Sequence, residues 1–393
     1  MTHTGPGVLQ IYSHLQPIRR IAPSRFAALK ACALREVWTA TGVPPFLPMH
    51  PAARLGTAAH RLLENAGAGR LNGATALSAE SEWERIIVGV EDGMRRSWLD
   101  RSLLPLRDSV LDYEVRRIRA CAVATRVLQM RPHEGRPGSH HPGTEFEVWV
   151  QTDDGILGGF IDEVIHTENG AILRDYKTGH TLAHRDHQDE PHVKDEYAVQ
   201  LRLYAALYFH SHGRHPARLE VVPVRGSAIP VEFAVDDCEG LVSEARHLLQ
   251  EVNAIVTGHS PGGLDAAIRL LARPSSSTCW SCLFRPACEP YAVFRPTANT
   301  RGLPKDVWGV ITGMHRLANG RIGMTVTPTP WAERSQRVRI RDVTPDTERH
   351  PALRLLREGE SVGAFNLRAD RSMATLSEGT MTILYSVLDR SHA

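Results

Sequence analysis

The sequence predicts an α/β protein, in which helices flank a mixed sheet, that ends in a small all-β domain. Three observations support this prediction. Apolar residues recur at helical spacing through most of 22–130, strand-like runs occupy 144–177, and short apolar runs separated by turn signals follow Pro296. We therefore predict a first domain over 1–295 and a second over 296–393.

The first domain is expected to begin with helices and continue into strands. Four helices are expected, over 22–40, 55–67, 81–99 and 107–130. The third would open with a capping box formed by Ser81 and Glu84. Three strands should follow, Glu145–Gln151, Ile156–Ile165 and Ala171–Tyr176, joined by turns at Asp154-Gly155 and Asn169-Gly170. Two further helices are expected over 194–210 and 238–257, with a hairpin over 219–234 between them.

The second domain reads as a small OB-like barrel. Five short apolar runs are separated by turn signals such as Asn319-Gly320, and one short helix is expected near 350–357. Its aromatic side chains, at Trp308, Trp331 and Phe365, would stack on nucleobases if they were exposed. The alternative is that they belong to the core of the barrel.

Composition excludes several classes of protein. The chain has 393 residues, 46 basic and 44 acidic, so its net charge of +2 excludes a strongly basic coat protein and an acidic disordered chain. The sequence has no apolar run of about 18 residues, the length that a membrane-spanning helix needs. The first twenty residues have no continuous apolar segment typical of a signal peptide. Six cysteines are too few for a disulfide scaffold, and we expect a reduced, cytoplasmic compartment.

The strongest local signal is an acidic hairpin. If Asn169-Gly170 is a two-residue turn, Asp162 pairs with Lys177 and Val164 with Asp175. Because side chains alternate along a strand, Asp162, Asp175 and Lys177 then share one face, with the carboxylates roughly 6–8 Å apart at the backbone. Such a pair can hold Mg²⁺ or Mn²⁺, beside a lysine that orients water or offsets phosphate charge. The alternative is an ordinary cross-strand ion pair on a solvated face.

Four short motifs together resemble those of the PD-(D/E)XK nuclease superfamily, in its RecB-like branch. Residues 159–162 read Gly-Phe-Ile-Asp, and 175–179 read Asp-Tyr-Lys-Thr-Gly. A helical histidine, His60, lies upstream, and a Gln-x-x-x-Tyr pair, Gln200 and Tyr204, lies downstream. All four occur in the order that the family has.

The resemblance implies a restriction-endonuclease-like fold and a metal-dependent deoxyribonuclease that cuts single-stranded DNA or DNA ends. It implies that Mg²⁺ or Mn²⁺ is held by the metal ligands His60, Asp162, Asp175 and the main-chain carbonyl of Tyr176. Lys177 would be the catalytic lysine, and Gln200 and Tyr204 would line the active site and the DNA path. The family often has a glutamate on the preceding strand, and either Glu145 or Glu147 fits that position.

The cysteines form a second motif. Cys279, Cys282 and Cys288 follow the spacing Cys-x2-Cys-x5-Cys, and three thiolates this close favour Zn²⁺ or an iron–sulfur cluster. An upstream cysteine, Cys32, completes an order that resembles the iron–sulfur members of the branch, the AddB-like and CRISPR-associated adaptation nucleases. The resemblance implies a [4Fe-4S] cluster, with a zinc site or buried thiols as the alternatives.

Two other functions remain open. One is a non-catalytic iron–sulfur subunit that binds DNA ends within a larger complex, and the other is a zinc-binding transcription factor. The sequence contains no Gly-x4-Gly-Lys-Ser/Thr phosphate loop, so any helicase is expected to be a separate subunit. DNA repair, recombination and phage defence all suit a nuclease of this kind.

Overall fold

The computed structural model describes residues 7–9, 14–71, 75–130, 143–177, 182–183, 192–223, 227–258, 263–297, 304–328, 337–369 and 375–387. The α-helices of these segments are α1 Pro23–Ala31, α2 Ala33–Thr41, α3 Pro51–Gly67, α4 Ala76–Arg96, α5 Leu106–Ser109, α6 Tyr113–Met130, α7 Asp195–His212, α8 Val235–Gly258, α9 Leu264–Leu271, α10 Ser276–Trp280 and α11 Glu289–Thr297. The strands are β1 Thr144–Gln151, β2 Gly158–Thr167, β3 Gly170–Lys177, β4 Leu182–Ala183, β5 His192–Val193, β6 Arg218–Pro223, β7 Ile229–Pro230, β8 Lys305–Arg316, β9 Ile322–Pro328, β10 Val338–Val343, β11 Ser361–Ala369, β12 Thr375–Ser377 and β13 Ile383–Ser386.

A five-stranded mixed sheet forms the centre of the first domain, in the order β1-β2-β3-β6-β7. All its pairings are antiparallel except that of β3 with β6, which are parallel and joined through α7. Helices α1, α7 and α8 contribute to one buried cluster with the sheet, and α3, α4 and α6 form another. The predicted mixed sheet flanked by helices is therefore confirmed.

Two of the predicted helices are divided in two, and the others begin or end within five residues of the predicted positions. The helix predicted over 22–40 is two helices, since Cys32 between them has an extended backbone at φ −162° and ψ 100°. The helix predicted over 107–130 is likewise divided into α5 and α6. The predicted capping box at Ser81 is wrong, because α4 begins earlier and the Thr75 side chain accepts from the Ser78 N–H. A Thr side chain at the N-cap can satisfy one of the free N–H donors of the first turn, as Thr75 does here.

The C-terminal barrel closes through a strand that we did not predict. Strands β8, β9 and β10 form an antiparallel meander, and β11 lies antiparallel to β8. The short β12 runs parallel to β10 and antiparallel to β11, which completes the ring. A single 3₁₀ turn, Pro351–Arg354, lies between β10 and β11. This order of five strands fits an OB-like barrel.

Contacts join the barrel to the rest of the chain. Val8 forms a parallel bridge with Ser386 of β13, and the Tyr385 hydroxyl donates to the Phe46 carbonyl at 2.7 Å. The segment before α1 thus packs with the last strand, and the boundary at 295/296 stays a prediction. None of the described helices is long and apolar enough to cross a membrane.

Candidate active site

The hairpin of β2 and β3 carries the acidic residues in a register two residues away from the predicted one. Thr167 pairs with Gly170, so Glu168 and Asn169 form the turn and the predicted pairing of Asp162 with Lys177 is wrong. Gly170 itself begins β3 at φ +115°, a conformation that glycine adopts readily. A slip of two residues leaves every side chain on its predicted face, because the side-chain period of a strand is two.

The last regular backbone pair of the hairpin is Glu163 with Arg174. Beyond it, the Asp162 side chain provides the contact between the two strands. Its Oδ2 accepts a hydrogen bond from the backbone N–H of Tyr176 at 2.6 Å. This contact holds the Asp162 carboxylate directly beside the part of β3 that carries Asp175.

Asp175, Lys177 and Gln200 form a closed triangle of contacts. The Gln200 Nε2 donates to Asp175 Oδ1 at 2.7 Å, and the Lys177 ammonium donates to Gln200 Oε1 at 2.9 Å. The same ammonium lies 2.7 Å from Asp175 Oδ2, in an ion pair that is not aligned as a hydrogen bond and leaves that buried oxygen without one. Helix α7 thus positions the ends of both β3 side chains.

Burial and mutual repulsion change the acidity of these groups. Burial raises the pKa of Asp162 well above its ordinary value, and the Asp175 charge raises it further. Burial also raises the pKa of Asp175, against the opposing effect of Lys177. Both carboxylates therefore resist ionisation when they lie side by side. A bound cation would stabilise their charged forms.

His60 approaches the same centre from α3. The buried face of this helix, formed by Leu55, Ala58, Ala59 and Leu62, leaves His60 half-buried at its border. Burial lowers the pKa of the His60 imidazole, while the charges of Asp175 and Lys177 act on it in opposite directions. The ring is thus biased toward the neutral form, which is the form that can donate a lone pair to a metal ion.

The two candidate glutamates of β1 have different surroundings. Glu147 has φ +52°, and its charge raises the pKa of Asp162. Burial and the nearby Glu64 raise the pKa of Glu147 in turn. Glu145 is exposed and lies against His166, with 2.5 Å between the carboxylate and Nε2. The charge of Glu147 therefore acts on Asp162, that of Glu64 acts in turn on Glu147, and Glu145 is occupied by His166.

Tyr204 lies beside the carboxylates, one turn along α7 from Gln200. Burial and the charges of Asp162 and Asp175 raise the pKa of its phenol. Its ring packs against β2 at Gly159, where a Cβ would lie 3.0 Å from the Tyr204 hydroxyl oxygen. A glycine in the Gly-Phe-Ile-Asp motif therefore makes room for the tyrosine.

A hydrogen-bonded network holds the Tyr176 side chain. The Tyr176 hydroxyl donates to Glu163 Oε2 at 2.9 Å, and Arg174 pairs with Glu163 at 3.4 Å and with Glu220 at 2.7 Å. Sequence reasoning missed these residues, although alternation from Asp162 and Asp175 places Glu163 and Arg174 on the opposite face of the sheet. Thr178 and Gly179 of the third motif lie outside the described residues.

The donor chemistry suits a divalent cation, although the side chains are arranged without one. Carboxylate oxygens and a neutral imidazole are suitable ligands for Mg²⁺ or Mn²⁺. Within the described segments, no three His, Cys, Asp or Glu residues form a group that could hold a metal ion. Instead, Tyr176, Lys177 and Gln200 occupy the carboxylate oxygens.

The four cysteines of the second motif line a single small cavity. Cys32, Cys279, Cys282 and Cys288 are all free thiols, and the break between α1 and α2 lies at Cys32. Burial raises the pKa of Cys279 to about 11, and it raises the pKa of Cys282 and Cys288 as well. The predicted cysteines are therefore brought together as neutral thiols, and no three of them are in a metal-binding arrangement.

The helix that carries His60, the three antiparallel strands, the crossover helix with Gln200 and the parallel strand define an α/β nuclease core. The chain belongs to the PD-(D/E)XK nuclease superfamily, whose family model matches residues 20–289. The superfamily predicted from the motifs is thus confirmed, while the RecB-like branch stays a prediction. A search among curated proteins finds no match to the chain.

Proposed function

We propose that the protein is a Mg²⁺- or Mn²⁺-dependent deoxyribonuclease of the RecB-like branch that cuts single-stranded DNA or DNA ends. One observation carries the proposal: Asp175, Lys177 and Gln200, joined by two hydrogen bonds and an ion pair, lie beside the half-buried Asp162 carboxylate. A solvated ion pair would need neither the burial nor the glutamine that binds both partners.

Each side chain has a role in this proposal. His60, Asp162, Asp175 and the Tyr176 carbonyl would hold the ion, which, when bound, supplies Lewis-acid activation of water and phosphate. Lys177 orients the attacking water and offsets phosphate charge. Gln200 holds Lys177 and Asp175 at a fixed separation, and Tyr204 walls the site from the α7 side.

The test is cleavage of end-labelled single- and double-stranded DNA with Mn²⁺. We expect Asp175→Asn and Lys177→Met to reduce the rate by at least about 100-fold, the scale of a lost acid–base or positioning group. A matched pair gives the control, since Glu147→Gln should slow cleavage and Glu145→Gln should not. Tight DNA binding without cleavage by the wild-type chain would instead indicate a non-catalytic DNA-end-binding subunit.

We further propose that Cys32, Cys279, Cys282 and Cys288 bind a [4Fe-4S] cluster. This cluster would connect the first helices to the end of the nuclease domain. Support comes from their shared cavity and from the extended backbone at Cys32. Purification under argon should give a brown protein, with a broad band near ~400 nm, and Cys282→Ser should lose it while Cys121→Ser keeps it. A colourless, zinc-containing protein would contradict the cluster.

The remaining parts of the proposal concern the setting of the enzyme. The described cysteines are free thiols, which supports a reduced, cytoplasmic compartment. The absence of a phosphate loop from the sequence supports a separate helicase subunit for any strand opening. DNA repair, recombination and phage defence are the processes that such an activity would serve.

A further inference from the structure

Two large aromatic rings are exposed next to the candidate active site. Trp149 of β1 and Phe160 of β2 are directly paired across the strands, with ring centroids 4.8 Å apart. Trp149 is 37% exposed and Phe160 is 51% exposed, whereas Val150 and Ile161 beside them are buried. The two adjacent rings form a continuous apolar surface, and larger surfaces of this kind mark interaction sites.

The position of the Trp149 ring is supported from several sides. The Arg20 guanidinium lies 5.0 Å from the ring centroid, and Arg20 Nε donates to the Gly155 carbonyl at 2.9 Å. A Cβ at Gly158 would lie only 2.9 Å from Trp149 Cζ2, so the ring can rest over β2 because that residue is glycine. The aromatic pair and the exposed Arg20 together form what we call the aromatic platform.

The aromatic platform is close to the acidic residues. Phe160 precedes Asp162 by two residues, which at a strand rise of about 3.3 Å per residue separates their Cα atoms by about 7 Å. Because one residue separates Phe160 from Asp162, both lie on the same face of β2, whereas the Gly159 position faces Tyr204. A polymer bound at the carboxylates would therefore pass over or beside the platform.

We propose that the aromatic platform stacks on unpaired nucleobases of the DNA strand held at the active site, and that Arg20 contacts an adjoining phosphate. This inference rests on the nuclease function proposed above and narrows its substrate. Every base has a π-face on which an aromatic ring can stack, and an arginine adds its positive charge. In a duplex the neighbouring base pairs cover those faces, so the platform selects single-stranded over double-stranded DNA.

The experiment compares binding of two fluorescent oligonucleotides of equal length in EDTA, one of deoxythymidines and one abasic. Phe160→Ala and Trp149→Ala should weaken binding of the first about tenfold, equivalent to 1.4 kcal/mol, and leave the abasic strand unaffected. Phe160→Tyr keeps a ring and should bind like wild type. Phe209→Ala is the matched control, since Phe209 is also 37% exposed but lies at the end of α7.

The results separate this inference from the proposed function. Wild-type binding by both alanine variants, or equal losses on both oligonucleotides, would overturn the platform even if the wild-type chain cuts DNA with Mn²⁺. A chain that neither binds nor cuts either DNA would overturn the proposed function and the platform together. A base-dependent loss in correctly folded variants, checked by thermal unfolding, would support the platform.

Discussion

At the scale of single residues, the motifs predicted which side chains meet but not which of two neighbours joins them. Asp162, Asp175 and Lys177 could be placed on one face because strand alternation is regular, whereas Gln200 was predicted only from the resemblance to the family. Glu145 and Glu147 have the same parity on β1, so alternation gives no choice between them. The structure distinguishes them by their surroundings, since the charge of Glu147 acts on Asp162 while Glu145 lies against His166, and no local signal in the sequence announces this difference.

Gly159 offers a test of how closely Tyr204 must approach β2. Its Cβ in Gly159→Ala would lie 3.0 Å from the Tyr204 hydroxyl oxygen and 3.1 Å from Pro23 Cδ. We expect the phenol to shift away from the carboxylates and the nuclease rate to fall about tenfold or more. The free energy of unfolding should drop by about 1–3 kcal/mol, as is usual when a packed site is overfilled.

Cleavage kinetics and urea unfolding of the same preparation check this prediction. Gly240→Ala is the control, because nothing lies within 4 Å of a Cβ at that helical position. Unchanged activity in Gly159→Ala would show that the position of the Tyr204 ring has no part in cleavage.

At the scale of elements, the sequence predicted the kinds of elements better than their ends. The interruption at Cys32 has no proline or glycine beside it, so its cause is tertiary: the residue turns toward the cavity that it shares with the three later cysteines. The hairpin turn was misplaced because Asn-Gly is the usual two-residue signal. Here the glycine instead begins β3, where the Thr167 hydroxyl donates to its carbonyl at 2.6 Å.

One polar element of the barrel should make its stability depend on pH. Glu378 follows β12, and its carboxylate pairs with Arg349 at 2.7 Å and accepts the Thr344 N–H. Burial alone would raise its pKa, but the hydrogen bonds from His350 and Thr344 and the Arg349 charge lower the pKa to about 2. Since the unfolded value is about 4.3, ionised Glu378 stabilises the fold above that pH. This contribution is lost as the pH falls toward 2.

This contribution of ionised Glu378 predicts the effect of the substitution Glu378→Gln. It should reduce the free energy of unfolding by about 2 kcal/mol at pH 7, the scale of hydrogen bonds to a charged group, and by less at pH 3.5. Urea unfolding at the two pH values measures both differences. Glu348→Gln is the control, because that side chain is 76% exposed. A deficit of equal size at both pH values would contradict the assignment of acid sensitivity to this carboxylate.

At the scale of the whole molecule, long-range contacts decided what the sequence left open. The barrel closes through only three residues of β12, too short a run for periodicity to detect. Phe365 is fully buried and meets Trp308 edge to face, so it is a core residue, although of the cluster that contains the nuclease sheet and not of the barrel's own cluster. Trp331 lies outside the described residues. The exposed aromatic pair is instead in the nuclease sheet, at Trp149 and Phe160.

The cysteine segment and the barrel are joined by one buried ion pair. Arg285 is 2% exposed and donates to Asp306, which is fully buried, at 2.8 Å. The same guanidinium donates to the carbonyls of Cys279, Trp280 and Cys282, at 3.1–3.2 Å for the first two and 2.9 Å for the third. One side chain thus holds three backbone carbonyls of the cysteine segment and anchors the segment to β8, the first strand of the barrel.

Removing one member of this pair should destabilise the whole chain, because it leaves the other charge buried without its partner. Arg285→Met and Asp306→Asn should each cost about 3–5 kcal/mol. The double variant should cost less than the sum by about 2–3 kcal/mol, the size of coupling expected for residues in contact. The double variant should still be less stable than the wild type, because the carbonyls of the cysteine segment have lost their donor. Urea unfolding of all four proteins gives the coupling energy, and additive losses would show that Arg285 and Asp306 do not stabilise each other.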